Sequence, residues 1–116
     1  MSHRTQLNKY FAFVDRQLWD EMFALFHPDV IYHRGDSPPI VGIDELKAFY
    51  RGGRLIATGR HVVELLLVDG DWAVAKGTFA GTLKDGADVS VRFVDLHEFR
   101  DGLIWRRHTY FAGRAV

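Results

Sequence analysis

The sequence predicts an α+β domain in which N-terminal helices pack on one face of a curved antiparallel sheet. Apolar residues recur at spacings of three and four between Thr5 and Phe26, which is the helical period. After Gly59 the chain changes to β-branched and aromatic runs separated by turn residues. Because the helices come first and the strands follow as a meander, the helices are expected to cover one sheet face rather than to alternate with parallel strands.

The N-terminal pattern predicts two short helices between Thr5 and Phe26, broken near Arg16-Gln17. The segment His27-Pro28-Asp29 ends this pattern, because proline cannot continue the helical hydrogen bonds and pushes the preceding residue out of the helical region. A strand is predicted to follow over Val30–Arg34.

Turn residues over Gly35–Pro39 lead to a third helix, predicted over Glu45–Arg51. Asp44 is placed to cap its first turn, and Gly52-Gly53 closes it. The remaining chain predicts four antiparallel strands joined by short turns: Arg60–Val68, Trp72–Leu83, Val89–Phe99 and Leu103–Phe111.

The composition favours one compact domain over residues 1–116. The chain is 47% hydrophobic and 26% charged, and 116 residues are too few for two ordinary cores. Fifteen basic residues balance fifteen acidic ones, so no net field attracts nucleic acid or an anionic membrane. With no membrane span and no apolar leader after Met1, we expect a cytoplasmic protein without nucleic-acid or membrane partners.

Metal and redox chemistry are not expected. The chain has no cysteine, so it has neither a thiolate nucleophile nor a disulfide. Its six histidines show no short paired spacing typical of metal sites, and no glycine-rich phosphate loop is present. His61, alone at a strand start, is interpreted as structural. No metal or cofactor is therefore predicted.

The last hairpin carries the most chemistry. A three-residue loop that places Phe99 opposite Leu103 would bring Asp95 opposite Arg107 and His97 opposite Trp105. A two-residue loop would shift the pairs by one, so that Asp95 faces His108 instead. Ionisable groups among aromatic residues have shifted pKa values, so Asp95 could donate as a protonated acid, act as a base, or form an ordinary ion pair with Arg107.

The first strand alternates so that Tyr32 and Arg34 share one face and His33 takes the other. On a concave face, Tyr32 and Arg34 would donate hydrogen bonds to a carbonyl or enolate oxygen. Arg34 could equally be a solvated strand end.

Three stretches resemble the nuclear transport factor 2-like superfamily: Leu25–Tyr32 (LFHPDVIY), Val41–Tyr50 (VGIDELKAFY) and Val94–Ile104 (VDLHEFRDGLI). Within it the chain is most similar to SnoaL-like polyketide cyclases and ketosteroid isomerase-like proteins of bacteria. The resemblance implies a cone-shaped α+β barrel with a deep apolar pocket between helices and sheet. It also implies a homodimer formed through the outer sheet face.

The resemblance assigns roles to individual residues. Tyr10 falls at the position of the isomerase's oxyanion-hole tyrosine, and Asp95 falls at that of its protonated aspartic acid. The general-base position falls on Arg34, whose guanidinium cannot act as a base. Asp36 or His97 would then have to supply one.

These observations lead to two functional hypotheses. The first is a cofactor-independent enzyme that isomerises or cyclises a hydrophobic carbonyl compound, a polyketide or related secondary metabolite, with Asp95, His97 and Tyr10 as catalytic residues. The second is a non-catalytic domain of the same fold that binds a small ligand or a partner. In either case the predicted binding residues are Tyr32, Arg34, Phe13, Trp19, Phe93, Trp105, Arg107 and Phe111.

Overall fold

The computed structural model describes residues 2–113 and 116, and within them the helices precede the meander as predicted. In chain order the elements are α1 (His3–Asp15), α2 (Trp19–Phe23), β1 (Phe26–Arg34), β2 (Ile40–Val41), α3 (Gly42–Ala48), a π-helical turn (Phe49–Gly53), β3 (Ile56–Asp69), β4 (Trp72–Leu83), β5 (Asp88–Arg100) and β6 (Leu103–Ala112). The predicted α+β class is confirmed.

The two N-terminal helices separate at the predicted break. The Ser2 hydroxyl caps α1 by accepting a hydrogen bond from the backbone N–H of Thr5 at 3.1 Å. Gln17, with φ of 57°, lies in the left-handed region and divides α1 from α2. The buried face of α1 carries Gln6, Leu7, Tyr10, Phe11 and Val14.

The third helix differs from its prediction in both bounds. It begins at Gly42 rather than Glu45, and Asp44 lies in its first turn instead of capping it. The Glu45 carboxylate accepts the backbone N–H of Val41 at 3.0 Å. The chain then widens into the π-helical turn, which places the buried side chain of Tyr50 towards the sheet.

The six strands form one mixed sheet in the order β2-β1-β6-β5-β4-β3. The predicted antiparallel meander is confirmed for β3 to β6, but β1 runs parallel to β6. β1 also starts at Phe26 rather than Val30, because an irregularity between Phe26 and Ile31 accommodates Pro28.

The turn between β5 and β6 is shorter than the loop we favoured. Asp101 and Gly102 both have positive φ, 54° and 73°, as in the primed turns that suit two-residue hairpins. Arg100 therefore lies opposite Leu103.

A bulge at Trp105 then shifts the ladder by one more residue, so Asp95 lies opposite Thr109 and His97 opposite Arg107. Both predicted registers were wrong. The inward face of Asp95, His97, Arg107 and Thr109 was nevertheless correct, because the true pairing there differs from the favoured one by two residues and side chains alternate with a period of two. Asp95 and His97 both point inward and have no exposed surface.

The core lies between the helices and the concave sheet face. It is one continuous apolar cluster, to which every helix and most strands contribute; its most completely buried apolar members are Leu7, Met22, Val30, Leu46, Ala75 and Ile104.

Among the described residues, no helix is long and apolar enough to cross a membrane.

Two glycines let β3, at the edge of the sheet, and β4 approach closely. Gly77 lies opposite Val63 on β3, beside a register shift at Val63/Leu65. A methyl group at Gly77 would meet the carbonyl oxygen of Val62 at 2.0 Å. At Gly59 it would meet the Phe79 ring at the same distance. The close approach of the two strands therefore requires that these positions lack a Cβ.

Replacing Gly77 with alanine should lower the free energy of unfolding by about 1–3 kcal/mol, because the added methyl overpacks rigid backbone. Gly52→Ala is the matched control, since a Cβ there meets nothing within 4 Å. Urea unfolding of the two variants measures the difference. Equal stabilities would contradict the close approach of β3 and β4.

Candidate active site

A cavity opens between α1, the π-helical turn and the concave sheet face. It is lined by aromatic, aliphatic and charged side chains: Tyr10, Val14, Tyr32, Arg34, Phe49, Tyr50, Arg54, Ile56, His61, Phe79, Phe93, Asp95, Arg107, Thr109, Phe111 and Val116. The space open to the centre of a water molecule is about 30 Å³, enough for about two waters. A ring-sized ligand therefore has to displace side chains at the mouth.

A buried ion pair lies at the inner end of the cavity. The Arg107 Nη2 atom donates to Asp95 Oδ2 at 2.8 Å, and neither side chain is more than 3% exposed. Thr109 Oγ1 donates to the other carboxylate oxygen at 2.5 Å. Both oxygens of Asp95 thus accept hydrogen bonds from β6, the neighbouring strand.

A chain of hydrogen bonds runs from the cavity mouth to Asp95. Arg34 Nε donates to the Tyr32 hydroxyl at 3.1 Å, and Tyr32 lies 3.0 Å from Thr109 Oγ1. Because Thr109 gives its proton to Asp95, it must accept one from Tyr32. The direction of every donor in this chain is therefore set by the carboxylate.

Two tyrosines converge on the guanidinium from the opposite wall. The Tyr10 and Tyr50 hydroxyls are 2.6 Å apart, and Arg107 Nη1 donates to both, to Tyr50 at 3.3 Å. One hydroxyl proton links the two tyrosines, which leaves the other free for an acceptor in the cavity. Tyr10, Tyr50 and Arg107 will be called the donor cluster.

The protonation states follow from burial and charge. Burial alone would raise the pKa of Asp95, but the Arg107 guanidinium, His97 and the Thr109 hydrogen bond together lower it below its ordinary value. Asp95 is therefore an anion that accepts hydrogen bonds. Burial raises the pKa values of Tyr10 and Tyr50, so both keep their protons and remain donors.

His97 lies behind the cavity wall and is not among the residues that line it. It is fully buried, and it lies opposite Ala73 on β4, whose backbone contacts the ring. Burial lowers the pKa of His97 to about 4, with Arg107 adding to the effect and Asp95 partly opposing it. The structure therefore corrects the prediction that His97 is the proton partner of Asp95 at the cavity, because the ring is neutral and does not line the cavity.

The structure brings together most of the predicted site. Seven of the predicted residues line the cavity: Tyr10, Tyr32, Arg34, Phe93, Asp95, Arg107 and Phe111. Asp95 is not the protonated donor that the resemblance implied. Asp36, considered as a base, is exposed and does not line the cavity.

Three predicted wall residues lie elsewhere. Trp105 sits at the bulge, where Arg100 and Arg106 place their guanidinium carbons 3.8 and 3.7 Å from its ring centre. Trp19 packs behind Tyr50, with ring centres 5.7 Å apart. Phe13 packs against the core. None of the three lines the cavity.

Four polar residues that line the cavity were not among the predicted site residues: Tyr50, Arg54, His61 and Thr109. Tyr50 was assigned only to a helix face, and Thr109 carried no signal beyond its strand. The sequence indicates for His61 only a structural role at a strand start, whereas the side chain lines the cavity and contacts Asp15. The partners of Tyr50, Thr109 and His61 lie 40, 14 and 46 residues away, so no local pattern could reveal them.

No group of three or more histidine, aspartate or glutamate side chains that could hold a metal ion occurs in residues 2–113 and 116.

The chain belongs to the SnoaL-like domain family, whose family model matches residues 7–107. No curated protein matches it in sequence.

Solved structures share the fold over nearly the whole chain. A nuclear transport factor 2-like protein of unknown function from Burkholderia pseudomallei has a TM-score of 0.87 at 23% identity, covering 97% of this chain and 92% of its own. A candidate polyketide cyclase from Pseudomonas putida has a TM-score of 0.81 at 20% identity, covering 97% and 93%. A candidate ketosteroid isomerase from Kribbella flavida has a TM-score of 0.77 at 27% identity, covering 96% and 78%. The protein therefore has the nuclear transport factor 2-like α+β cone fold.

Replacing His97 with leucine should flatten the pH dependence of stability between about 6.5 and 4. In that window the unfolded chain protonates this histidine and the folded protein does not, so the free energy of unfolding rises with pH. As the pH falls from neutral to about 4, this histidine should lower the free energy of unfolding of the wild type by about 3 kcal/mol. Urea unfolding at a series of pH values measures it.

The stability that ionised Asp95 contributes is lost only at lower pH, because the pKa of Asp95 in the folded protein lies below 3.8. Parallel curves for the wild type and His97→Leu would contradict the burial of a neutral His97.

Proposed function

We propose that the protein is a cofactor-independent isomerase or cyclase that promotes proton transfer in an apolar carbonyl compound, with polyketide intermediates as the substrate class. The observation that carries this proposal is the donor cluster: Tyr10, Tyr50 and Arg107 converge inside a largely aromatic cavity. Such preorganised donors stabilise the negative oxygen that develops when a carbonyl compound loses an α proton.

The donor cluster suits an enolate for electrostatic reasons. Asp95 balances the charge of Arg107 in the resting protein, so the guanidinium can be buried without a ligand. The two tyrosine hydroxyls are neutral and already receive hydrogen bonds from Arg107, which strengthens them as donors. A neutral carbonyl can therefore enter, and the cluster interacts more strongly as charge reaches the oxygen.

Asp95 acts in this proposal through Arg107. Its two oxygens are occupied by Arg107 and Thr109, and it has no exposed surface. It is a positioning residue that fixes the guanidinium and orients the hydrogen-bond chain from Arg34. The aromatic side chains of Phe49, Phe79 and Phe111 exclude water and shape the bound substrate.

The donor cluster can be tested with 4-nitrophenol, whose phenolate resembles an enolate and absorbs visible light. Tyr50→Phe should weaken binding of the phenolate by about 10- to 100-fold, since a hydrogen bond to a charged group contributes roughly 1.5–3 kcal/mol. Titration at a pH below the phenol's own pKa measures both binding and ionisation.

The matched control is Tyr110→Phe, because Tyr110 lies on the outer sheet face and does not line the cavity. If both variants bind like the wild type, the donor cluster does not hold an oxyanion. A wild type that binds the phenolate but converts no carbonyl compound would favour a ligand-binding domain over an enzyme.

We also propose a homodimer formed through the outer sheet face. This face carries exposed apolar side chains on neighbouring strands: Leu65 and Leu67 on β3, Trp72 on β4, Val94 on β5 and Tyr110 on β6. Lys76 and Glu64 add both signs of charge within it, 3.9 Å apart. A patch that is apolar at its centre and of mixed charge suits a second copy of itself.

Leu67→Glu should convert the dimer to a monomer, because the new carboxylate would be buried without a partner. Light scattering after size exclusion should give twice the 13.3 kDa chain mass for the wild type and the single mass for the variant. Val41→Glu serves as the control, since Val41 is 50% exposed but lies on β2. A monomeric wild type would exclude this dimer.

A further inference from the structure

A histidine–carboxylate pair lies at the cavity, and neither of its residues belongs to the predicted site. Asp15, the last residue of α1, accepts the backbone N–H of His61 at 2.8 Å through Oδ2. Its other oxygen, Oδ1, lies 2.5 Å from His61 Nδ1. Two hydrogen bonds therefore hold the β3 strand and the imidazole ring to the end of α1.

The contact with Asp15 determines the tautomer of His61. A carboxylate only accepts, so Nδ1 must carry the proton that it donates. The other ring nitrogen, Nε2, is then unprotonated in the neutral ring and free to accept a proton. The rings of Phe11, Phe79 and Phe93 surround the imidazole, with centres 5.2, 4.7 and 5.4 Å away.

Three histidine–aspartate contacts occur among the described residues, and one of them is at the cavity. His3 contacts Asp71, which is 74% exposed, and His27 contacts Asp101, which is 79% exposed. In the third pair, His61 and Asp15 are only 13% and 19% exposed, and His61 lines the cavity.

Elimination among the cavity residues leads to the same histidine. The guanidiniums of Arg34, Arg54 and Arg107 hold no free electron pair for a proton. The lining tyrosines are donors, and Arg107 and Thr109 hold the pKa of Asp95 below its ordinary value, which makes its carboxylate a weak base. Of the described ionisable side chains that line the cavity, His61 is the one with an unoccupied basic atom.

We propose that His61 is the general base of this cavity and that Asp15 is its positioning residue, so that the site removes an α proton from a carbonyl compound. This inference rests on the proposed function and assigns its missing base. The α C–H bond breaks, its proton goes to His61 Nε2, and its electron pair forms the C=C bond of an enolate held by the donor cluster. Return of the same proton to the γ carbon of a β,γ-enone gives the conjugated isomer, with no other reactant.

The test follows conversion of cyclohex-3-en-1-one to its conjugated isomer by ultraviolet absorbance. His61→Gln should lower the rate by about 10²–10⁴-fold, the usual contribution of a positioned base. Its affinity for 4-nitrophenol should stay close to that of the wild type, which shows that the cavity remains folded. The control is His3→Gln, which removes the contact between His3 on α1 and Asp71 away from the cavity and should keep full activity.

Asp15→Asn tests the positioning role without removing the base. It should lower kcat with little change in KM, and the ¹⁵N chemical shifts of His61 should show loss of the single Nδ1–H tautomer. A purely structural Asp15 would leave the tautomer and kcat unchanged in the folded fraction. This readout also covers the case in which His61→Gln does not fold.

The outcomes separate the two proposals. If the wild type converts the enone and His61→Gln converts it equally fast, His61 is not the base and the proposed function stands. If the wild type itself does not accelerate the reaction, the proposed function fails and the base assignment fails with it. Loss of turnover with retained 4-nitrophenol binding supports both.

Discussion

The buried pair of Asp95 and Arg107 is the interaction on which the rest of the site depends. A guanidinium keeps its charge, so burying it at 3% exposure without a counter-ion would cost several kcal/mol of desolvation. Asp95 makes that burial tolerable, and Arg107 in turn orders the hydroxyls of Tyr10 and Tyr50. The same carboxylate sets the direction of the hydrogen bonds that reach it through Thr109. One ion pair thus fixes hydrogen-bond donors on α1, in the π-helical turn and on the sheet.

The fold class and the inward-facing residues could be predicted from the sequence, but the strand register could not. Alternation along β5 identifies which side chains point inward, and that parity survives a shift of two residues. The turn at Asp101-Gly102 and the bulge at Trp105 each move the ladder by one position. Beyond the bulge the two shifts add to two residues, so Arg107 and Thr109 keep the inward face, whereas Trp105 at the bulge itself does not line the cavity. This is why Asp95 was placed in the site and Trp105 was placed there wrongly.

The chemistry of the site was predicted only in part, because its polar contacts join distant elements. The π-helical turn directs Tyr50 to Tyr10, and a regular continuation of α3 would have turned it elsewhere. Asp15 lies at the end of α1, where the helical pattern gives it no special role. Its contact with His61 depends on how closely α1 packs on β3. Such packing is decided by the whole core and not by any local spacing.

The proposed mechanism assigns the base and the hydrogen-bond donors to two different places in the cavity. The donor cluster lies beside Asp95, whose negative charge would repel a second carboxylate base brought close to the developing enolate. A neutral imidazole avoids that repulsion, and on accepting a proton it gains a positive charge that attracts the enolate oxygen. With Arg34 where the related isomerase has its carboxylate, this cavity would lack a base if His61 were only structural. In the proposed mechanism the histidine on β3 supplies the base, and Asp15 keeps its basic nitrogen available to the cavity.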